Sequence, residues 1–484
     1  MEGETQRLAC ELADLRIAEI PFSVRHEARR LIVDTLGCAV AGRSTPIGEV
    51  ATGMGRWYGT ARQATVVGHC EQGTLLAAAY VNGRCANAMD FDETYPVGVH
   101  FGLGAVVAAI AVGEYRRISE DDLLAAVVAG YELGGRVAAM SGPMLRPGGD
   151  GEAGYPDVWG SAQSVVMAAV GAACRAFGLG PAATAQAYGI AAMHVPIPSG
   201  NRWSSAHTLP NCKYCDAGWA TQVGVFAALA AQEGAESYPD FLDSDKGFAG
   251  MCGIDRPHMQ HLARPVGEIW YLADITYKLW PSCRWTHYPL TALERLRDRL
   301  PDDPGRIDDV LVLTNPLAAG ERFTKTTPET WVERGYSLPH VFAASLLGLP
   351  PSEWLTDATD ADPGVRRLRE RIRVRLHPES GRIADCVEDG ILRRIPAGVE
   401  LSIDGKRLEA HCDGALGDSW IPELRASDEQ LLEKFACLCS PQCTDHAVRL
   451  LQNKADSDPA MLAAILATVA RGTGFHSREL SGVN

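Results

Sequence analysis

Residues 119–139, with the sequence SEDDLLAAVVAGYELGGRVAA, contain the pattern that decides the fold. Ser119 can cap a helix, and the three acids after it suit a first turn, because the amino end of a helix carries partial positive charge. The residues that follow, through Ala139, are mostly apolar or small. A helix that is apolar on nearly all sides is typical of the interior of a large helical bundle.

The same pattern recurs elsewhere in the first 265 residues. Residues 103–113, 164–174 and 220–232 are rich in alanine and contain few charges. No stretch of this part alternates convincingly between apolar and polar residues, as a half-buried strand does. We therefore expect these segments to form the inner helices of one large helical domain.

The pattern changes between residues 267 and 425, where strands are indicated. Residues 371–376 alternate strictly between basic and apolar side chains, which predicts a strand with one solvent-exposed, basic face. Residues 399–403 alternate as well, and the Asp-Gly pair at 404–405 supplies a two-residue hairpin turn. The valines within residues 310–312 indicate a further strand.

Helical sequence resumes at Ser427, which forms a capping box with Gln430. The sequence therefore predicts a mainly α protein with a large all-helical domain made of residues 1–266 and 426–484. A smaller α+β domain, residues 267–425, is inserted as a lid. Clefts between domains are preferred ligand sites.

The composition of the chain argues against several classes of function. The chain has 484 residues, and 45 Lys+Arg against 60 Asp+Glu give a formal net charge of −15. This charge argues against nucleic-acid and anionic-membrane partners, because both need a basic surface. The longest apolar run, residues 103–113, is shorter than the roughly 20 residues that cross a bilayer. The charged amino terminus lacks an apolar signal segment, so we expect a cytoplasmic protein.

Common cofactor and metal motifs are absent from the sequence. It contains no dinucleotide fingerprint, Walker A loop, GxSxG elbow or HExxH helix, so no cofactor is expected. Cys212 and Cys215 form a CxxC, and three cysteines cluster within residues 437–443. Neither group has the paired spacing of a structural zinc site. We expect reduced, inert thiols and no metal.

An acidic block with a nearby histidine is the first candidate site. Asp90, Asp92 and Glu93 are followed by His100, just before the apolar segment at 103. A histidine close to carboxylates can act as a general acid or base near neutral pH. The alternative is an acidic surface loop with a bystander histidine.

Two cationic segments are the other candidates. Lys213 lies among small and apolar residues before an alanine-rich helix, where it could bind a carboxylate or simply extend to solvent. Residues 278–287 carry Lys278, Ser282, Arg284 and His287 in an otherwise apolar stretch at the domain junction. This stretch is either an anion-recognition segment or part of the core with a structural ion pair.

Taken together, these segments resemble the MmgE/PrpD family of dehydratases, decarboxylases and epimerases. The resemblance covers most of the chain, including residues 34–42, 89–94, 130–133, 278–287 and 337–340. It implies a large all-helical domain with a smaller α+β lid, usually in a homodimer. It also implies a metal-free site between these domains, which binds a small anionic di- or tricarboxylate and moves protons beside a carboxylate.

The resemblance assigns a role to individual residues. His100 is the leading proton-transfer group, in a catalytic corner with Asp90 and Thr94. Lys213 and Lys278 are expected to bind substrate carboxylates, since fixed ammonium groups stabilise the negative charge that forms. The remaining candidates are His287 on the lid side as a catalytic residue, and Trp159, Arg284 and Ser282 as substrate contacts.

Three departures from the family pattern bear on the substrate. Phe101 follows His100 where the family usually has proline, and Trp159 and Asp216 stand where two further histidines are expected. An indole cannot transfer protons as an imidazole does. We therefore expect the proton-transfer core to be kept and the substrate to differ from the citrate-like acids of the family.

Three hypotheses stay open. The first is a cofactor-independent lyase that eliminates water or carbon dioxide from a small carboxylate. The second is an isomerase or epimerase that uses the same proton abstraction and returns the proton to carbon. The third is a catalytically altered family member, either with a specialised biosynthetic substrate or retaining the fold for binding alone.

Overall fold

The protein is mainly α-helical, as the sequence predicts. The computed structural model describes residues 3–67, 72–144, 146–147, 153–154, 159–243, 245–254, 256–381 and 386–452. The helices before residue 266 are α1 (Glu4–Ala13), α2 (Phe22–Arg43), α3 (Pro46–Gly55), α4 (Leu75–Ala86), α5 (Gly102–Arg116), α6 (Glu120–Ser141), α7 (Ala162–Phe177), α8 (Pro181–Met193), α9 (Gly200–Ser204), α10 (Ala217–Gln232) and α11 (Gln260–Ala263).

The inner helices form where the alanine-rich segments predict them. Helix α6 begins at its predicted cap, because the Ser119 hydroxyl accepts a hydrogen bond of 3.1 Å from the amide of Asp122. Helix α7 packs against α5, α6 and α10, and almost all of its side chains are buried. Small residues allow this close packing, since they keep neighbouring helix backbones near one another.

One described helix, α6, is long and apolar enough to cross a membrane. Its most apolar stretch is wholly buried among other helices of the protein. Length and composition alone do not separate a membrane span from the core helix of a soluble protein, and here protein contacts cover the helix on every side.

The later part of the described chain contains the main sheet. Its helices are α12 (Arg284–Glu294), α13 (Glu321–Thr324), α14 (Trp331–Tyr336), α15 (Leu338–Leu346), α16 (Asp357–Ala361), α17 (Pro363–Arg371), α18 (Asp428–Leu438) and α19 (Pro441–Leu451). The strands in the described part of the chain are β1 (Ala64–Thr65), β2 (Gln72–Gly73), β3 (Arg146–Pro147), β4 (Ala153–Gly154), β5 (Ile307–Thr314), β6 (Ile372–Leu376), β7 (Val387–Glu388), β8 (Ile391–Leu392), β9 (Ala397–Ile403) and β10 (Lys406–Cys412).

The four-stranded sheet has the order β10-β9-β5-β6, and only β5 and β6 are parallel. The predicted hairpin turn is correct: Asp404 and Gly405 both have positive φ, which a tight turn between twisted strands requires. The alternating segment forms β6, with Arg371 instead ending α17. The first 265 residues also contain two short strand pairs, β1-β2 and β3-β4, which the sequence pattern does not indicate.

The chain returns to the helices after the sheet. The predicted capping box of Ser427 and Gln430 begins α18, which packs against α2. The domain boundaries at 266 and 425 stay a prediction. Residues 453–484, the end of the second helical segment, lie outside the described residues.

Substitutions at two glycines in helix interiors test this close packing. A Cβ at Gly130 in α6 would lie 2.5 Å from the carbonyl oxygen of Ala168, whereas a Cβ at Gly53 in α3 has no atom within 4 Å. We expect Gly130→Ala to lower the free energy of unfolding by about 1–3 kcal/mol, because α7 must move. Gly53→Ala, the matched control, should raise it by up to about 1 kcal/mol through helix propensity. Urea unfolding of both variants would measure this, and equal effects would contradict it.

Candidate active site

Asp90 is in contact with three other residues that the sequence predicts for the site. It follows α4 in a loop, with its backbone in the left-handed region at φ 52°. Its Oδ1 accepts a hydrogen bond of 2.8 Å from Nζ of Lys213, and lies 3.4 Å from Nζ of Lys278 and 3.5 Å from Nε2 of His100. All four side chains are buried. Burial raises the pKa of Asp90, but the two lysines outweigh it and hold that pKa well below its ordinary value.

The two lysines are engaged to different degrees. Lys278 donates to the carbonyl oxygens of Asp90 at 2.6 Å and Ser282 at 3.2 Å, and Asp90 Oδ1 lies 3.4 Å away as its ion-pair partner. Three oxygens of the protein therefore surround this ammonium, which has three N–H groups. Lys213 has two acceptors within the described ranges, the Asn87 carbonyl at 3.0 Å and Asp90. Its third N–H is therefore available to a substrate oxygen.

His100 is oriented by its Nδ1 atom. That nitrogen lies 2.7 Å from the carbonyl oxygen of Glu93 and 3.3 Å from Oδ2 of Asp92. Because both neighbours accept hydrogen bonds, Nδ1 carries a proton, and Nε2 is left for chemistry beside Asp90. Asn87 donates from Nδ2 to both Asp92 oxygens, at 3.0 and 3.1 Å, and fixes that carboxylate.

Glu93 connects this loop to α5. Its Oε1 accepts from the amides of Phe101 at 3.1 Å and Gly102 at 2.5 Å, at the first turn of the helix. Burial, followed by the charge of Asp92, raises the pKa of the Glu93 carboxyl to about 8. The group is therefore largely protonated at neutral pH, although two amides bind its oxygen.

A cation could in principle bind three of these groups. Ligand atoms of Asp90, Asp92 and His100 lie within 4.8 Å of one another. However, Asp90 already accepts from Lys213 and Asp92 accepts from Asn87. The lysine ammonium groups supply the positive charge that a metal would bring, so the donor set suits a lysine-compensated carboxylate better.

The segment 278–287 contributes mainly internal contacts besides Lys278. The Arg284 guanidinium forms a buried ion pair with Asp418, and the Ser282 hydroxyl is 2.7 Å from that of Thr286. His287 is buried, with its ring centroid 5.2 Å from that of Trp280. Burial, then Arg284, holds the pKa of His287 well below its ordinary value, so its imidazole is neutral.

Comparison with known proteins identifies the family. The MmgE/PrpD N-terminal domain model matches residues 6–260, and the MmgE/PrpD C-terminal domain model matches residues 280–457. The chain belongs to the MmgE/PrpD family. The resemblance read from the sequence is therefore confirmed, and Asp90, His100 and Lys213 all lie in the first matched region.

The chain is similar to cis-aconitate decarboxylases from several organisms. The human enzyme is 26% identical over 493 aligned positions, covering 98% of this chain and 95% of the relative. The mouse enzyme is 24% identical and covers 78% and 77% of the two chains. The Aspergillus terreus enzyme is 25% identical and covers 62% and 61%.

The three residues that depart from the family pattern all have defined surroundings in the structure. Asp216 is the N-cap of α10 and accepts from the amide of Trp219 at 3.0 Å, so its carboxylate has a structural partner. Phe101 is buried against Tyr131, with ring centroids 4.6 Å apart. Trp159 is buried and lines a small cavity of about 30 Å³ that Val99, the neighbour of His100, also lines.

Thr94 lies in the same loop as Asp90 and braces it. Its hydroxyl donates to the carbonyl of Val99 at 2.9 Å, and its backbone pairs with that of Thr276 through two bonds of 2.9 Å. The predicted substrate contacts from Thr94, Ser282 and Arg284 stay predictions. In the described structure each of these side chains already has a protein partner.

Sequence reasoning assigned no role to Lys434. This buried lysine of α18 donates to Asp34 Oδ1 and to the Phe91 carbonyl, both at 2.6 Å, and to the Lys278 carbonyl at 3.0 Å. It therefore binds the segments on both sides of the site. Asp34 falls within the family-like block at residues 34–42, but no local pattern marks its partner 400 residues away.

The raised pKa of Glu93 predicts a pH effect on stability. The native state keeps this proton from pH 4.5, where the ordinary carboxyl loses it, up to about pH 8. Its stabilising contribution is therefore full below about pH 4.5 and is lost as the pH rises through 8. Glu93→Gln cannot titrate, so its free energy of unfolding should fall less across this interval, by a few kcal/mol.

Urea unfolding at several pH values would measure the difference. Glu49→Gln, in an exposed position on α3, is the control and should follow the parent curve. A Glu93→Gln variant whose pH dependence equals that of the parent would show that Glu93 is ionised in the native protein.

Proposed function

We propose that the protein is a lyase that removes carbon dioxide or water from a small carboxylate. The family and the names of the relatives support this class of reaction. The observation that carries it is the geometry of His100: Nδ1 is held by Glu93 and Asp92, while Nε2 lies 3.5 Å from Asp90. A fixed imidazole beside a compensated carboxylate and a lysine is suited to proton transfer next to a substrate carboxylate.

Decarboxylation needs only these groups, and dehydration needs one further proton donor. A substrate carboxylate binds the third N–H of Lys213. In decarboxylation, the bond to the departing carboxyl carbon breaks, and the electron pair stays on the remaining fragment, where it is delocalised toward the bound carboxylate. The ammonium stabilises that charge, and His100, here as the imidazolium, donates its Nε2 proton to carbon. In dehydration, His100 instead takes a proton from carbon, and hydroxide leaves with a proton from a second donor. Neither route calls for a cofactor.

The alternative functions use the same residues. An isomerase or epimerase would take a proton at the carbon next to the carboxylate and return it to another carbon or to the opposite face. A member with a specialised biosynthetic substrate is supported by Trp159 and Asp216, since neither position supplies an imidazole.

Contacts between the two parts of the chain support the proposed lid. We infer that residues 267–425 form an α+β domain that covers the site on the large helical domain. Lys278 reaches the Asp90 loop from the lid side. Lys434 binds the backbones of both segments from α18.

Proton NMR in heavy water tests the function. The chelator-treated protein is mixed with cis-aconitate, 2-methylcitrate and smaller dicarboxylates, and new alkene signals and deuterium entry are recorded. We expect elimination or decarboxylation of at least one acid. His100→Ala should lower that rate by about 10²- to 10⁴-fold, the usual range for general acid–base catalysis. Lys213→Met should raise KM, because it removes the ammonium that binds the carboxylate.

Control variants, and a check that each variant is folded, are needed to interpret the result. His207→Ala and Lys406→Ala change exposed residues and should keep the parent rate. Circular dichroism shows whether each variant is folded. Deuterium entry without net conversion would favour the isomerase. If the parent protein converts none of the acids, the proposed function is rejected. A folded His100→Ala variant with the activity of the parent would show that His100 is not catalytic.

The protein also exposes an apolar face that suits a homodimer. On α10, Trp219 and Phe226 are seven residues apart on one side and are 48% and 44% exposed. The His194 ring lies 5.9 Å from that of Phe226, and Ile197, three residues after His194, is 88% exposed. Clustered exposed apolar side chains mark interaction surfaces. We infer that a second copy of this chain covers the face by two-fold symmetry, as is commonest for homo-oligomers.

Charge substitutions on this face test the dimer. The double variant Trp219→Asp, Phe226→Asp should sediment as a monomer in analytical ultracentrifugation, because two buried carboxylates would be unpaired in the interface. Leu376→Asp, an exposed apolar position on β6, is the control and should keep the parent state. A monomeric parent, or a double variant that still dimerises, would refute this surface.

A further inference from the structure

Tyr214 has a buried hydroxyl group beside the proposed site. The residue is 7% exposed, and its hydroxyl has no hydrogen-bond partner among the described residues. Leaving a buried hydroxyl unpaired is unfavourable, so such a group requires an explanation. The sequence-based candidates do not include Tyr214, although it directly follows Lys213.

The ring of Tyr214 packs directly against the catalytic cluster. It stacks on the His100 imidazole with centroids 6.1 Å apart and an interplanar angle of 22°. Nζ of Lys213 lies 5.3 Å from the ring centroid, and Trp203 packs edge-on at 5.7 Å. Lys213 has a left-handed backbone, with φ 56°, and this turn brings two consecutive side chains to the loop of Asp90 and His100.

The phenol is a hydrogen-bond donor in this setting. Burial, followed by the charges of Asp90 and Asp92, holds the pKa of Tyr214 well above its ordinary value. The hydroxyl therefore keeps its proton at neutral pH. Burial, followed by Cys283 and Asp90, also raises the pKa of a second tyrosine, Tyr336, but its hydroxyl is not among the unpaired groups.

We propose that the Tyr214 hydroxyl donates a hydrogen bond to a substrate oxygen, so that Lys213 and Tyr214 together bind one carboxylate. The third N–H of Lys213 takes one carboxylate oxygen, and the phenol takes the other. This assignment rests on the proposed lyase function. It makes Tyr214 a substrate-binding residue, whereas a purely structural role would leave its hydroxyl without any partner.

The variant Tyr214→Phe tests the assignment, because it removes only the hydroxyl. With the acid of the panel that the parent converts, kcat/KM should fall about 10- to 100-fold, the range for one hydrogen bond to a charged group. KM should rise more than kcat falls. The melting temperature should stay equal to that of the parent or increase, because the variant no longer buries an unpaired polar group.

Tyr188→Phe is the matched control. Tyr188 of α8 is also buried with an unpaired hydroxyl among the described residues, but its pKa is affected by burial and Cys174 rather than by the site. It should keep parent activity. A parent that converts no acid overturns the proposed function and this inference with it. An active parent with an equally active Tyr214→Phe overturns this inference alone, as does a variant that loses activity together with thermal stability.

Discussion

The buried ammonium of Lys434 is the contact on which the arrangement of the site depends. One charge on α18 binds the carboxylate of Asp34 on α2 and two backbone carbonyls, those of Phe91 and Lys278. A buried charge is tolerated only when it is paired and fully hydrogen-bonded, so these partners must be in place together. The loop of Asp90 and the segment of Lys278 therefore have one relative position.

Within that arrangement, the charges of the cluster compensate one another. Asp90 alone would be unfavourable in a buried site, and so would either lysine. Their contacts compensate the buried charges, and the two lysines differ in them, since three oxygens lie within 3.4 Å of the Lys278 ammonium and two acceptors bind that of Lys213. The site thus combines a rigid cation that supports the loop with a second cation that can bind a ligand.

Much of the fold could be predicted from local patterns, whereas much of the site could not. Alanine-rich segments and caps place the helices, and the Asp-Gly pair places the hairpin, because these signals depend on neighbours in sequence. Asp90 and His100 share one loop, but only the family resemblance joined them to Lys213 and Lys278. The partnership of Arg284 with Asp418 joins residues 134 positions apart, and no local spacing reveals it. The capping role of Asp216 is a local contact with the amide of Trp219, three residues later.

The position of Lys434 has a consequence for biosynthesis. Its contact with Asp34 spans 400 residues, and the contact with Phe91 spans 343. Chains emerge from the ribosome from the amino end, and contacts of long sequence separation form late. A nascent chain that already contains His100, Lys213 and Lys278 still lacks the cation that joins their segments. The arrangement of the site is therefore completed only once Lys434 has been synthesised and has reached these segments.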